Sequence, residues 1–339
     1  MKAQKRLGKQ TVQMAGDVKI IGNASIVGKK EAEGPLRNDF DTTVDDGYWG
    51  EQSWEKAETK FQKETINLAI SKAGKSISDI NLMFTGDLIN QCTCSSFGAR
   101  ELQIPFYGIF GACSTMAESL SLGAIAVDGG FAENVLCGTS SHFASAEKQF
   151  RLPLEYGGQR PPTAQWTVTG SGMTVLSNEG EGMFITHLTT GVINDNGIKD
   201  ANNMGAAMAP AAADTIITHL RDTGRQPEFY DLIATGDLGS FGMSIVRDLT
   251  QKNDLSLGQN YNDCGVMIFD TKKQDVHAGG SGCGCSAAVL CGHILKQMQE
   301  GNLKNVLFVG TGALLSTTSV QQGETIPAIA HAVAISVSK

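Results

Sequence analysis

The chain has 339 residues, 41% hydrophobic and 18% charged, enough for a large core and, at roughly 150 residues per domain, for about two units. A net charge of -8, from 27 basic and 35 acidic residues, disfavours nucleic acid and a broad basic membrane-binding surface. No apolar core follows the basic N-terminal residues and no apolar run reaches bilayer-spanning length, so neither a signal peptide nor a transmembrane segment is expected. In chain order, Val18–Val27 reads as a strand or hairpin and residues 28–50 as an acidic surface excursion. Trp54 to Ala73 has helical spacing, with Ala57, Phe61, Ile66, Ala69 and Ile70 on one side and Gly74 as C-cap. Ile80–Phe84 is a strand ending at Thr85-Gly-Asp87. Ile104–Phe110 reads as a buried strand running into Gly111-Ala-Cys113, where a helix begins that continues to Val127. Ala144–Gln165, rich in Gly and Pro, reads as an irregular insertion.

The pattern then repeats. Glu64–Gly74 followed by Thr85-Gly-Asp-Leu88 recurs as Asp214–Gly224 followed by Thr235-Gly-Asp-Leu238, at an offset of 237 − 87 = 150 without a gap. Cys113-Ser114 recurs as Cys285-Ser286, each pair followed by a helical stretch and a strand, Asn134–Thr139 or Asn305–Thr311. This period is too long for a solenoid and marks a duplicated αβαβ unit. Strands alternating with helices imply a mainly parallel sheet with helices on its faces. The two halves are placed at residues 1–178 and 179–339.

Cys113 sits where unpaired N–H groups at a helix start point outward, a position that favours thiolate and attracts anions. It reads equally as a small apolar residue in a core helix. If the halves are related by a pseudo-two-fold axis, Cys113 and Cys285 begin equivalent helices whose N-termini face a shared cavity, suited to a carboxylate or an acyl oxyanion. Gly111, Gly279, Gly280, Gly282 and Gly284 either let a ligand approach the backbone or permit close helix crossing. His142, at a strand end, is the best-placed histidine for acid–base or hydrogen-bonding work, against the alternative of a surface loop residue. Asp87 and Asp237 in equivalent turns read as structural. Asn262-Asp263-Cys264-Gly265 lies where the halves differ. Lys148, Arg151 and Arg160 are candidate cations. Cys92-Thr-Cys94 and Cys283-Gly-Cys285 lack zinc-site spacing and histidine partners, so no metal is expected, and no phosphate-loop or dinucleotide fingerprint points to a cofactor.

The duplicated half with a cysteine opening its central helix resembles the thiolase-like superfamily of condensing enzymes. Phe110-Gly-Ala-Cys-Ser-Thr115, Asp128-Gly-Gly-Phe-Ala132, Thr139-Ser-Ser-His142 and Glu155-Tyr-Gly-Gly-Gln159 look more closely like the stage V sporulation protein AD family of spore-forming Firmicutes. Met208–Ile216, Asn262-Asp-Cys-Gly265 and Gly279–Cys283 extend that resemblance over nearly the whole chain. It implies an α/β, thiolase-like fold of two αβαβ halves with shared central helices, layered α/β/α/β/α. It implies binding of pyridine-2,6-dicarboxylate (dipicolinate, as its calcium complex) and work with membrane proteins of the same sporulation operon. It places the chain peripherally on the forespore inner membrane, and a homodimer is carried over from thiolase-like proteins. Active condensing enzymes resemble one another in a His-Gln-Ala-Asn-type turn and a Gly-Asn turn. Here these are Thr235-Gly-Asp-Leu-Gly-Ser240, without histidine, and Gly282-Cys-Gly-Cys285. A thiol without base and oxyanion partners makes a poor covalent catalyst, so the expectation is a binding protein rather than an enzyme. Its ligand site is expected at Cys113, His142, Asp263, Cys264, Cys283 and Cys285. The alternatives are an acyltransferase or condensing enzyme with Cys113 as nucleophile, and a structural scaffold of the membrane complex with a vestigial pocket.

Overall fold

The structure is a computed structural model that describes residues 4–150 and 160–339. Ten strands form its frame: β1 (Lys19–Gly28), β2 (Leu82–Gly86), β3 (Phe106–Gly108), β4 (Asn134–Ser141), β5 (Gly170–Ser177), β6 (Met183–Thr189), β7 (Leu232–Thr235), β8 (Tyr261–Asp263), β9 (Asn305–Ala313) and β10 (Ala328–Ser336). They run in the order β8-β7-β9-β10-β6-β1-β5-β4-β2-β3, which reads the same outward from its middle. In each half the strands that alternate with helices pair parallel, β3-β2-β4 and β8-β7-β9. The closing segments return antiparallel, β4-β5-β1 and β9-β10-β6. The halves meet at a short antiparallel seam, Lys19 to Phe184 and Ile20 to Met183.

The helices obey the same symmetry. Helix α1 (Trp54–Lys72) is capped by Ser53, whose side chain accepts the Lys56 N–H at 3.3 Å, and buries Ala57, Phe61, Ile66, Ala69 and Ile70 on the outer face of the first sheet, as its spacing predicts. Gly74 follows at φ +65°, a conformation that costs a side-chain-bearing residue. Next come α2 (Thr93–Leu102) and α3 (Thr115–Asp128). A short helix, α4 (Phe143–Phe150), occupies the start of the region expected to be irregular. In the second half α5 (Met204–Thr223) and α6 (Gly239–Gln251) match α1 and α2, and α7 (Cys283–Ala288) runs through a π-helical turn, Val289–Ile294, to Gln299. Helices α3 and α7 lie between the sheets, α3 touching β4 of its own half and β9 and β10 of the other, and α7 touching β4 and β5. The layers are α/β/α/β/α, as expected.

Residues 104–110 depart from expectation. They form only the edge strand β3, with Tyr107 60% exposed and stacked on Phe84 at 5.3 Å between ring centres. Pairing on one side alone leaves this apolar run short and half in solvent.

The middle layer is mostly small residues and large aliphatic anchors. Met116, Leu120, Ala124 and Val127 of α3 and Val289, Leu290 and Ile294 of α7 share one buried core. Each large side chain contributes ~1.5–3 kcal/mol by leaving water. Two helices and two sheets meet there with almost no space. A Cβ on Gly172 would stand 2.2 Å from the Ala287 carbonyl oxygen, and one on Gly284 would stand 2.5 Å from the Gly170 carbonyl oxygen. Close crossing therefore accounts for Gly284. Gly172→Ala is expected to lower stability by about 2 kcal/mol through overpacking against rigid backbone, read as a lower urea midpoint at unchanged slope. An unchanged midpoint would mean the middle layer can part more easily than its geometry implies.

Candidate functional site

The chain entering α3 turns sharply. Ala112 has φ +50°, a left-handed conformation costing on the order of 1–2 kcal/mol outside glycine. One short helical turn, Ala112–Ser114, then leads into Thr115. Three contacts hold the turn: Ser114 Oγ donates to the Gly111 carbonyl at 2.7 Å, Thr115 Oγ1 donates to the Ala112 carbonyl at 2.6 Å, and the Gly111 N–H donates to Thr115 Oγ1 at 3.2 Å. Cys113 is thereby fixed at the helix start, 6% exposed.

The start of α7 comes to meet it. Cys113 and Cys283 pack in one cluster with Leu88 and Ala146. Asp237, fully buried, joins the two helix ends. It accepts the Gly282 N–H at 2.8 Å and the Thr311 hydroxyl at 2.8 Å, and its charge acts on the Cys113 thiol. Burial pushes the Asp237 pKa up to about 6. Burial, and after it the Asp237 charge, drives the Cys113 thiol well above its ordinary value, although the Gly282 N–H pulls the other way. The thiolate expected at this helix end is therefore not favoured, because desolvation and a neighbouring carboxylate outweigh the helix end.

Cys113 forms part of the floor of a narrow cavity of about 40 Å³. Its walls are apolar, with Leu88, Phe110, Phe150, Met204 and Leu315. Its polar contributors are Cys113, Glu147, Thr167 and Ser281. Thr167 Oγ1 donates to Glu147 at 2.8 Å. Apolar walls with a few grouped polar atoms suit a flat organic ligand bearing polar substituents.

The other expected site residues lie around this floor. Cys283 is fully buried behind Cys113 and donates to the Ser140 carbonyl at 3.0 Å. Cys285 points away, toward the Gly236 carbonyl, and Cys264 is buried in the core with it. Asp263 accepts four donors: Thr235 Oγ1 at 2.7 Å, the N–H groups of Leu238 and Gly239 at 2.9 Å each, and the Gly265 N–H at 3.0 Å. Burial nevertheless pushes its pKa up to about 7. It thus clamps the turn that carries Asp237, and its counterpart in the first half, by strand register, is Gly108. His142 accepts the Ala144 N–H on Nδ1 at 3.2 Å, so its Nε2–H donates to the Gly47 carbonyl at 2.7 Å, and burial lowers its pKa. Lys148 is turned to Glu55 at 2.7 Å, and Arg160 to Asp275 at 2.8 Å and over the Trp166 ring. Arg151 and Glu155–Gln159 lie outside the described residues.

Asp237 escaped the sequence reading as a thiol partner because its twin does behave as a turn residue. Asp87 accepts the N–H groups of Ile89 and Ser95 at 2.8 Å each. It also lies with Glu58 and Cys94, their donor atoms within 4.8 Å of one another. Ser95, Ser140 and Ser145 hydroxyls already bond these carboxylates. All eight cysteines are free and buried. Among the described residues no helix is long and apolar enough to cross a membrane.

Two mirrored αβαβ halves with a cysteine opening the first buried helix define a thiolase-like chain. The fold matches that of 3-oxoacyl-[acyl-carrier-protein] synthase III from Aquifex aeolicus VF5, with a TM-score of 0.57, 13% identity, and 94% of this chain and 99% of that one covered. It also matches human mitochondrial 3-ketoacyl-CoA thiolase, at 0.61 and 11% identity over 96% of this chain and 100% of that one. Within this fold the chain belongs to the stage V sporulation protein AD family, whose sequence model matches residues 8–336. It is 48% identical over 329 residues to stage V sporulation protein AD of Bacillus subtilis (strain 168), covering 97% of each chain.

Replacing Asp237 with Asn removes the charge that opposes thiolate formation. The Cys113 pKa is expected to fall toward the ordinary thiol value, so Asp237→Asn should raise the rate of iodoacetamide labelling of Cys113 near pH 8 by tenfold or more, about one pKa unit or beyond. Labelling followed by peptide mass spectrometry checks this; equal rates would mean the carboxylate does not govern the thiol.

Proposed function

We propose that this protein binds dipicolinate, as its calcium complex, in the Cys113 cavity. It would do so as the peripheral component of a sporulation membrane complex that moves dipicolinate into the forespore and releases it at germination. The observation that carries this reading is the placing of Cys113 at the cavity floor, with the buried Asp237 carboxylate fixed to the start of α7 beneath it. Burial first, and the Asp237 charge after it, keep the thiol protonated, a poor nucleophile but a serviceable polar contact, beneath apolar walls that suit an aromatic ring. The N-terminal ends of α3 and α7 favour carboxylate oxygens nearby. Asp263 acts at one remove, by holding the Asp237 turn.

Titration calorimetry with dipicolinate, with and without calcium, is expected to give saturable binding. Cys113→Ala and Asp263→Ala should weaken it by about tenfold, ~1.4 kcal/mol, or more. No saturable binding, or binding indifferent to both changes, overturns the proposal. The pH dependence has a definite sign. Above about 6 Asp237 is ionised and repels a dianion; below it the proton is retained and the repulsion goes. Affinity for dipicolinate without calcium should rise as pH falls from 8 toward 6, and Asp237→Asn should bind it more tightly than native at pH 8 with little change across that window.

The apolar walls favour one competing reading, an acyl chain carried on Cys113. Intact mass measured after incubation with a panel of acyl-CoA thioesters is expected to show no adduct. An acyl adduct lost in Cys113→Ala would replace binding with transfer.

A further inference from the structure

A second site lies on another face, where α5 ends. Gly224 closes the helix at φ +68°, and the chain then passes through Arg225 to a short turn, Pro227–Phe229, and into Tyr230 before β7. Arg225 is half-buried and lines two adjoining depressions, of about 90 and 270 Å³. Both also include Thr186 and Lys339; His187 lines the smaller, and Asn305 and Ser336 the larger.

Among the described residues the charge here has no counter-ion. Arg225 donates to the Tyr230 hydroxyl at 2.9 Å and lies over the Phe229 ring at 4.2 Å, and among the described residues no carboxylate stands within ion-pair distance of it. The nearby acids are spoken for. Asp222 accepts the N–H groups of Lys9, Gln10 and Thr11; Asp231 accepts those of Lys304 and Asn305; Asp17 takes Lys339 at 2.9 Å. Burial first, and the Arg225 charge after it, hold His187 down to about 4; His219 is held down to about 3 by burial first, with His187 and Arg225 adding to it. A guanidinium with spare N–H donors and no carboxylate partner, opening onto two depressions, is the equipment for an oxyanion.

We propose that the Arg225 groove is an anion-binding site for a phosphate group, separate from the Cys113 cavity. Arg225 supplies both the planar fork and the charge; Lys339 is held by Asp17 and the Ser336 hydroxyl donates to Asn305 at 2.7 Å, so neither is counted as a ligand. The larger depression leaves room for the remainder of a small ester. The same phosphate chemistry could arrive as a free phosphate ester or as a phospholipid headgroup; Phe229, 43% exposed, lines the larger depression.

The probe is inorganic phosphate, with the His187 ring signals followed by NMR. Saturable binding is expected, with the His187 pKa moving up as the bound anion offsets Arg225. Arg225→Gln should weaken binding at least tenfold. Arg225→Lys, which keeps the charge and loses the fork, should fall between. Co-sedimentation with phosphatidylglycerol vesicles, but not phosphatidylcholine vesicles, lost in Arg225→Gln, would assign the headgroup. Phosphate binding without vesicle binding would assign a free ester. Absence of both, or phosphate binding equal in native and both Arg225 variants, overturns the proposal.

Discussion

Backbone packed directly against backbone in the middle layer is the constraint from which the rest follows. The Gly172 Cα approaches the Ala287 carbonyl so closely that no side chain fits, and Gly138 and Gly312 make similar approaches to Gly172 and Gly111. Only this compactness lets two helices fit between two sheets. It also fixes where the helices begin, because α3 and α7 cannot slide without collision. The convergence of Cys113, Gly282 and Asp237 is a by-product of that packing. A cavity with a polar floor then needs little further construction.

The duplication supplies symmetry, and the site depends on its failures. Cys113 opens onto the cavity, whereas its partner in the repeat, Cys285, is turned into the core. Asp237 holds the start of α7 and lends its charge to Cys113 of the other half, whereas Asp87 serves its own turn and a buried acid cluster. Asp263 fills the place held by Gly108 and converts a bare strand end into a four-donor clamp. One inherited plan is thereby split into a working end and a supporting end.

Much of this was legible in the chain. The repeat at offset 150 needs no structure to see, and with it come the order of helices and strands and the pairing of helix starts. The buried face of α1 follows from spacing. What the sequence conceals are distances between residues far apart in it. Asp237 and Cys113 are 124 positions apart, and the Asp237 turn looks identical to its structural twin. The Cys113 protonation state was hidden for the same reason, since burial and a remote carboxylate decide it against the local helix end. Residues 104–110 were misread because hydrophobicity does not reveal that an edge strand has a neighbour on one side only.

The two central helices bear on history as well as mechanism. Each packs against the sheet of the opposite half, so neither half encloses its own core. A single half standing alone would expose one face of its sheet and one side of its buried helix. The unit that was duplicated would therefore have existed as a self-complementary pair, its cores completed across an isologous interface. Joining the copies through the short turn between β5 and β6 made that association intramolecular and independent of concentration. It also freed each copy to diverge, since a substitution no longer appears twice. Asp263 opposite Gly108 is such a change, available to a fused chain and forbidden to a symmetric dimer.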